Sequence, residues 1–236
     1  MTLDVVFTPN EIEAAKLAGR VIVVVDVLRA TSTIIEAMAN GARAVIPVDT
    51  VEKAVRTAAE IGRAEVMLCG ERGTKPIEGF PMGNSPGEFT AEKVAGKTLV
   101  MTTTNGTPAL LAGASGKRCL VAAFLNAAEV TATVKDEDDV VIVCAGRAGR
   151  FALEDAVCAG LIGRRLSAIR PLRSTDGARA AIRLASRLGN PPLRFLRRTA
   201  AGAQLRTMGL ARDVEFCGSL DRYAHVPELR DRRIPI

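Results

Sequence analysis

Short apolar runs rich in β-branched residues recur along the first 145 residues of the chain. Runs that are apolar at nearly every position are typical of strands buried on both faces of a sheet. We therefore predict buried strands at Leu3–Phe7, Arg20–Val25, Ala44–Val48, Val66–Cys69, Thr98–Met101, Lys117–Val121 and Val140–Cys144.

Helical segments with recognisable ends lie between most of these runs. Side-chain oxygens cap free N–H groups, proline fits a first helical turn, and glycine suits the left-handed residue that closes a helix. On these grounds the helix starts are Thr8-Pro9, Thr50 before Val51–Ile61, Ser85-Pro86 and Asn126 before Ala127–Thr133, and the ends are Gly41 and Gly62. Strands that alternate with helices predict a three-layer α/β/α sandwich with a largely parallel or mixed sheet.

The pattern changes from about Gly160 onward, where strand signals give way to helical patterns of Ala, Arg and Leu. Asn190-Pro191-Pro192 interrupts these patterns, and Asp213–Cys217 is predicted to be a short edge strand. No repeat and no low-complexity linker divides the chain, so we predict one domain over residues 1–236. Its motifs lie within about residues 1–160, and residues 161–236 complete it as an Arg-rich, mostly helical part.

Composition and cysteine usage narrow the class of protein. The chain is 48% hydrophobic and 25% charged, which is ordinary for a folded globular protein. Its five cysteines form no C-x-x-C pair, the start is not signal-like, and no apolar run reaches the ~20 residues of a membrane helix. We expect a cytoplasmic protein with no membrane partner.

The positive charge is concentrated near the end of the chain. Residues 164–236 hold 16 Arg and only 6 acidic residues. Such a stretch can bind nucleic acid, but one Tyr and no Trp leave few stacking platforms for bases. We therefore expect no nucleic-acid partner and interpret these arginines as solvated helix faces or as the flank of an anionic site.

Several segments match the sequence pattern of a known catalytic motif but lack the flanking elements or partner residues that the motif needs. A relaxed Walker A at Ala91–Thr98 leads into a strand, whereas a phosphate loop must lead into a helix. Gly83–Gly87 fits G-x-S-x-G, but no strand precedes it and the only histidine is His225. One histidine and scattered cysteines also give no zinc ligand set. Dehalogenase-like phosphatases need a second acid two residues after the first, and Leu28 occupies that position after Asp26, so this superfamily is not favoured.

Three predicted strands end in polar, turn-forming segments that open helices. These segments are Val25–Thr33, Met101–Thr107 and Cys144–Arg150. Ligands of open α/β sheets bind at the carboxyl ends of strands, where helix N-termini offer free N–H groups to anions. Glycines at 106, 146 and 149 allow close backbone approach to a phosphate. The sequence therefore predicts one anionic pocket, although each loop taken alone could be ordinary helix capping.

Three carboxylates are candidates for metal binding or catalysis. Asp26 ends the most apolar strand, where burial is costly unless a cation or hydrogen-bond donors compensate it. Glu154 and Asp155 lie one turn into the helix after Arg150, and hard oxygen ligands beside a phosphate pocket suit Mg²⁺. The alternatives are an N-cap role for Asp26 and a favourable helix-dipole interaction for the other two.

Cys144 and Arg150 form a C-x-x-x-x-x-R pattern between a strand and a helix. This pattern resembles the cysteine phosphatase loop, in which a thiolate attacks phosphorus and the arginine holds its oxygens. The alternative is that Cys144 is a small buried hydrophobe. Glu71, Arg72 and Asn84 lie in loops that could simply be solvated.

Motifs spread over most of the chain together resemble one family. They are Asp-Val-Leu-Arg-Ala-Thr (26–31), Gly-Glu-Arg-Gly (70–73), Gly-Asn-Ser-Pro (83–86), Thr-Thr-Asn-Gly-Thr (103–107), Phe-Leu-Asn-Ala (124–127), Cys-Ala-Gly (144–146) and Gly149-Arg150-Phe151 through Glu154-Asp155. In order, they are similar to the 2-phosphosulfolactate phosphatase (ComB) family. The similarity runs from about Val5 to Gly160 and thins over the last third.

The resemblance implies Mg²⁺-dependent hydrolysis of 2-phospho-3-sulfolactate, or of a related phosphorylated 2-hydroxy acid, to sulfolactate and phosphate, a step in coenzyme M biosynthesis. Asp26 with Glu154 or Asp155 would bind Mg²⁺, and attack by water, Asp26 or Cys144 stays open. The residues expected to bind the substrate are Arg29, Thr31, Glu71, Arg72, Asn84, Thr103, Thr104, Asn105, Gly106, Asn126, Gly146, Arg147 and Arg150. The alternatives are a metal-independent phosphatase using Cys144 and a non-catalytic binder of phosphorylated hydroxy acids. By analogy, a homo-oligomer is a further hypothesis.

Overall fold

The structure is a computed structural model that describes residues 1–62, 65–188 and 192–236. The strands are β1 (Thr2–Val6), β2 (Val21–Val25), β3 (Ala44–Pro47), β4 (Val66–Arg72), β5 (Lys75–Pro76), β6 (Thr98–Thr102), β7 (Arg118–Ala122), β8 (Asp139–Cys144), β9 (Arg173–Ser174), β10 (Glu228–Leu229) and β11 (Ile234–Pro235). The α-helices are α1 (Ala30–Ala39), α2 (Val51–Ile61), α3 (Ala91–Val94), α4 (Gly106–Gly113), α5 (Ala127–Val134), α6 (Leu153–Ile169), α7 (Asp176–Leu188), α8 (Pro192–Leu196), α9 (Ala200–Thr207) and α10 (Ala211–Cys217). All the predicted buried strands are present.

The strands form two sheets, both mostly parallel. The larger sheet has the order β10-β7-β2-β8-β1-β9 and the smaller has the order β11-β3-β6-β4-β5. Only β10, β11 and β5 pair antiparallel with their neighbours among the described strands. The predicted α/β class with a largely parallel sheet is confirmed, and the division into two sheets is an addition that the sequence pattern did not show.

Residues of β2 alternate between two hydrophobic cores. Val21, Val23 and Val25 pack into one core, and Ile22 and Val24 pack into the other. All five are at most 1% exposed. A central strand buried on both faces needs apolar residues at every position, which explains its uninterrupted Val/Ile sequence.

Helices cover both faces of the larger sheet and so give the predicted three layers. Side chains of α5, α6 and α7 share one core with this sheet, and those of α1 and α4 share the other. Helices α1 and α4 also contact the smaller sheet through β3, and α2 packs on β4 and β6. The smaller sheet therefore extends the sandwich beyond α1 and α4.

Thr50, Gly41 and Gly62 have the geometry predicted for helix ends, whereas the predicted side-chain caps at Thr8, Ser85 and Asn126 do not form. The Thr50 hydroxyl accepts a hydrogen bond of 3.1 Å from the Lys53 N–H at the start of α2. Gly62 follows α2 with φ +109°, and Gly41 lies just beyond α1 with φ +83°. Both are in the left-handed region that favours glycine. At Thr8-Pro9 and Ser85-Pro86 the chain forms single 3₁₀ turns over Pro9–Glu11 and Pro86–Glu88.

The last third is mostly helical, with one correction. Asp213–Cys217, predicted to be an edge strand, lies within α10. Val214 and Cys217 face the core with helical spacing, and this packing overrides the weak strand pattern. Of the predicted interruption at Asn190-Pro191-Pro192, the first two residues lie outside the described residues, and Pro192 begins α8. Within the described part of the chain, no helix is both long and apolar enough to span a membrane. That residues 1–236 form a single domain stays a prediction.

Candidate functional site

A cavity lies where the carboxyl ends of strands from both sheets meet. Strands β2 and β8 of the larger sheet lead to it, as do β4 and β6 of the smaller sheet. The predicted site residues that line it are Asp26, Arg29, Glu71, Asn84, Asn105, Gly146, Arg147, Glu154 and Asp155. The structure therefore brings together the ends of the three polar segments singled out in the sequence.

Asp26 lies in the turn between β2 and α1. The Thr31 hydroxyl donates to the Asp26 carbonyl at 2.8 Å, so Thr31 shapes the turn and lies outside the cavity lining. A Cβ at Gly106 would come within 2.6 Å of Asp26 Oδ2 and 2.4 Å of Ala30 Cβ. Glycine is thus required for the start of α4 to approach the carboxylate this closely.

Four buried carboxylates line the cavity. Asp26, Glu71, Glu154 and Asp155 are between 2% and 7% exposed. Backbone N–H groups fix two of them. Asp155 accepts from the Val27 N–H at 2.9 Å and the Gly146 N–H at 3.1 Å.

Backbone N–H groups also hold the carboxylate of Glu71. It accepts from the Thr74 N–H and the Thr104 N–H, both at 2.6 Å. The Thr104 hydroxyl also donates to it at 3.2 Å, and these bonds together keep the carboxylate in place. Carboxylates aimed by backbone donors are preorganised for binding at the cavity surface.

Burial and mutual repulsion raise the pKa values of these acids. Burial, followed by the charges of Glu71 and Glu154, raises the Asp26 pKa to about 7. Burial and the Asp26 charge raise the Asp155 pKa well above its usual value, and burial also raises the Glu154 pKa. Like charges this close favour protonation of some members unless a cation enters.

Two arginines line the cavity in contrasting environments. Arg29 is 5% exposed and forms an ion pair of 2.5 Å with Asp213 of α10, which is also 5% exposed. Arg29 further donates to the Thr74 carbonyl at 3.2 Å, and the Ser85 hydroxyl donates to Asp213 at 2.6 Å. Arg147 is exposed and its guanidinium donates to the Gln204 side-chain oxygen of α9.

The loop that carries Arg147 is a tight turn. The Arg147 and Arg150 backbones pair in both directions at 2.7 and 3.0 Å, and Gly146 and Gly149 adopt φ values of +67° and +72°. The Ala148 N–H donates to the Asn105 side-chain oxygen at 2.9 Å, which ties this loop to the start of α4. These bonds position Arg147 at the edge of the cavity.

Cys144 does not have the environment of a nucleophile. Its side chain is 0% exposed within the core and does not line the cavity. Burial, with a smaller contribution from the Asp155 charge, raises the thiol pKa well above its usual value. A thiolate nucleophile requires the opposite shift, so the hydrophobe interpretation fits and the nucleophile hypothesis does not.

Other predicted site residues support the loops and do not line the cavity. Arg72 donates to the Thr102 hydroxyl at 2.7 Å, and Asn126 donates to the Val121 and His225 carbonyls. The Thr103 hydroxyl accepts from the Thr107 N–H in the first turn of α4 at 3.0 Å. The residues in this group are Thr31, Arg72, Thr103, Thr104, Gly106, Asn126 and Arg150.

Five residues that line the cavity were not predicted from the sequence, and most of them lie in the last third of the chain. The lining residues not predicted are Leu28, Thr74, Ala201, Gln204 and Leu205. Three of them belong to α9, a segment with no catalytic pattern in the sequence. Asp213, which pairs with Arg29, lies in the segment predicted to be an edge strand and was not a predicted site residue.

The carboxylate and amide oxygens that line the cavity are of the type that hard cations bind. Asn84 is 4% exposed, and its side-chain oxygen is buried without a hydrogen-bond partner among the described residues. In that part of the chain, no three His, Cys, Asp or Glu side chains form a ready-made metal cluster. Mg²⁺ needs only one or two carboxylates, with water and substrate oxygens completing its shell, so the donor set fits this ion.

Comparison with known proteins agrees with the motifs. A family model described as 2-phosphosulpholactate phosphatase matches residues 6–232, well beyond the motif region that ended near Gly160. A protein of Thermotoga petrophila is 41% identical over 229 residues, covering 96% of this chain and 95% of its own length. One of Clostridium beijerinckii is 36% identical over 236 residues, covering 99% of each chain. Both are named probable 2-phosphosulfolactate phosphatase.

The matches confirm the resemblance noted in the sequence. Phosphatases hydrolyse phosphoric monoesters, so the expectation of an enzyme of this class is also confirmed. Because the family model covers nearly the whole chain and relatives of 36–41% identity cover almost all of it, the chain belongs to the 2-phosphosulpholactate phosphatase family.

Proposed function

We propose that the chain hydrolyses 2-phospho-3-sulfolactate, or a closely related phosphorylated 2-hydroxy acid, to the hydroxy acid and phosphate. The observation that carries this proposal is the cluster of four buried carboxylates beside two guanidinium groups at the strand ends. The names of the relatives supply the substrate. In this proposal the reaction is the phosphate-releasing step of coenzyme M biosynthesis or a counterpart of it.

We further propose that the reaction depends on Mg²⁺. Four carboxylates against two guanidinium groups would repel a substrate that carries phosphate, carboxylate and sulfonate groups. Asp26 and Asp155, or Asp26 and Glu154, would hold the ion together with the free Asn84 oxygen. Mg²⁺ bound there would neutralise the negative charge of the phosphoryl oxygens.

The chain's own side chains would bind the substrate and move a proton. Arg29 is fixed by Asp213 and the Thr74 carbonyl, so its remaining N–H groups are preorganised to donate to an anionic oxygen. Glu154 lies next to Thr199 and Arg147, and burial raises its pKa. When Asp26 and Asp155 hold the cation, a protonated Glu154 can donate its proton to the departing alkoxide oxygen, which becomes the hydroxyl group of the product.

The test is phosphate release from synthetic 2-phospho-3-sulfolactate. We expect activity that disappears with excess chelator and returns on addition of Mg²⁺. Activity that chelation leaves untouched would contradict the metal dependence. Tight substrate binding without any phosphate release would instead identify a binding protein.

The same assay tests the thiolate alternative. We predict that Cys144→Ser retains turnover within a few-fold of the unmodified protein, because the thiol is buried and away from the cavity. The far-ultraviolet circular dichroism spectrum of the variant verifies its fold. A folded Cys144→Ser protein without activity would restore Cys144 as the nucleophile.

Three further expectations are kept as proposals. They are a cytoplasmic location, the absence of a nucleic-acid partner and assembly into a homo-oligomer. Light scattering measures the last directly. A salt titration of DNA or RNA binding tests the second, since contacts to phosphates weaken steeply as salt rises.

A further inference from the structure

The cavity has a gradient of burial from its floor to its edge. Its four carboxylates and Arg29 are at most 7% exposed, whereas Arg147 is exposed and Asn105 and Gln204 are partly exposed. In the proposed function, the carboxylates attract the cation and therefore the phosphate. The remaining acidic groups of a three-carbon substrate must then lie toward the edge.

The two cavity arginines differ in how much of their charge is free for a ligand. The Asp213 carboxylate forms an ion pair of 2.5 Å with the Arg29 guanidinium and neutralises its charge. Arg147 forms no ion pair among the described residues, although Glu154 is near enough for the Arg147 charge to lower the Glu154 pKa. Within the described cavity lining, Arg147 is thus the guanidinium whose charge is left for an incoming anion.

Gln204 of α9 orients this guanidinium without neutralising it. Its side-chain oxygen accepts from Arg147 Nη2. Because that oxygen is used, the amide N–H₂ group remains as a donor beside the other N–H groups of Arg147. A tetrahedral anion with three oxygens, such as a sulfonate, can accept from both side chains at once.

We propose that Arg147 and Gln204 form the subsite for the substrate's sulfonate, so that α9 determines specificity for sulfonated over plain phosphorylated hydroxy acids. The inference rests on the proposed function and names the group that this part of the cavity recognises. Arg147 is held by its turn and by the bond from the Ala148 N–H to Asn105, while Gln204 is held on a helix. The side chains of Arg147 and Gln204 are therefore positioned before the substrate binds.

The test replaces Gln204 with an acid of the same shape. Gln204→Glu places a carboxylate against Arg147 and cancels the charge offered to the sulfonate. We expect KM for 2-phospho-3-sulfolactate to rise at least 10-fold, with kcat changed less than about 3-fold. For 2-phospholactate, which lacks the sulfonate, we expect no comparable rise in KM. The matched control is Ala203→Glu, which adds the same charge to an exposed position of α9 outside the cavity lining.

The outcomes distinguish a failure of the proposed function from a failure of the sulfonate subsite. An unmodified enzyme that hydrolyses neither compound contradicts the proposed function. An active unmodified enzyme whose Gln204→Glu variant keeps its KM for phosphosulfolactate, or loses both substrates equally, contradicts the sulfonate subsite. A matching loss in Ala203→Glu would likewise overturn it by showing a general charge effect.

Discussion

At the scale of single residues, the ion pair between Arg29 and Asp213 connects the motif-bearing part of the chain to its last third. Their side chains are 4% and 6% exposed, and the distance between Arg29 Nη1 and Asp213 Oδ2 is 2.5 Å. Removing one partner of a buried pair leaves an uncompensated charge. The pair therefore contributes to stability as well as to the position of Arg29 in the cavity.

We predict that Asp213→Asn lowers the free energy of unfolding by about 3 to 5 kcal/mol, the usual cost of breaking a buried pair. Urea denaturation measures the change. Replacing both partners, as in Arg29→Met with Asp213→Leu, should recover part of that loss because no unpaired charge remains. A single variant as stable as the unmodified protein would show that the pair is not buried in solution.

Asp26 makes the stability of the metal-free protein depend on pH. Its pKa is about 7 in the folded protein, against an ordinary value of 3.8. Between these values the folded state keeps a proton that the unfolded state releases, so stability falls as pH rises.

We predict that, in chelator, Asp26→Asn gains stability relative to the unmodified protein as pH rises from about 5 to about 7.5, by on the order of a few kcal/mol. Thermal unfolding at each pH measures the difference between the two proteins, in which titrating groups remote from the cavity cancel. A difference that stays constant with pH would contradict the raised Asp26 pKa.

At the scale of elements, the contact between α6 and α7 depends on a glycine. A Cβ at Gly160 would lie 1.9 Å from the Ala181 carbonyl oxygen and 3.0 Å from Ala185 Cβ. Ala178, Ala181 and Ala185 form the buried face of α7. Small residues on both helices allow their backbones to pack closely.

We predict that Gly160→Ala destabilises the protein by about 1 to 3 kcal/mol, because the added methyl group overpacks this interface. The melting temperature should fall by several degrees, since each kcal/mol corresponds to about 2–4 °C in a chain of this size. Gly87→Ala is the matched control, because a Cβ there meets nothing within 4 Å. Equal melting temperatures for the two variants would contradict the close helix contact.

The strands and several helix ends could be predicted from sequence because each is encoded locally. The uninterrupted Val/Ile run of β2 and the Thr50 cap of α2 are examples. The division into two sheets could not be predicted, since any of the apolar runs could pair with any other. The helical state of Asp213–Cys217 also depends on packing that lies far away in sequence.

At the scale of the whole molecule, the cavity exists because the carboxyl ends of two sheets and one late helix converge. The sequence predicted the residues at the strand ends, where parallel topology itself brings them together. It could not place Gln204 or Leu205, because α9 reaches the cavity only through the three-dimensional path of the last third. The sequence also could not show that Asp155 lines the cavity while Cys144 is buried in the core.

The role of the cavity in catalysis is decided by the initial rate of phosphate release from 2-phospho-3-sulfolactate, with Mg²⁺, by the Asp26→Asn variant. If the cavity is the catalytic centre, this folded variant should lose at least 100-fold in kcat/KM, or about 2.7 kcal/mol of transition-state stabilisation. Asp176→Asn, which changes a fully exposed aspartate at the start of α7, should keep the full rate. A rate for Asp26→Asn equal to that of the Asp176 control would contradict the account.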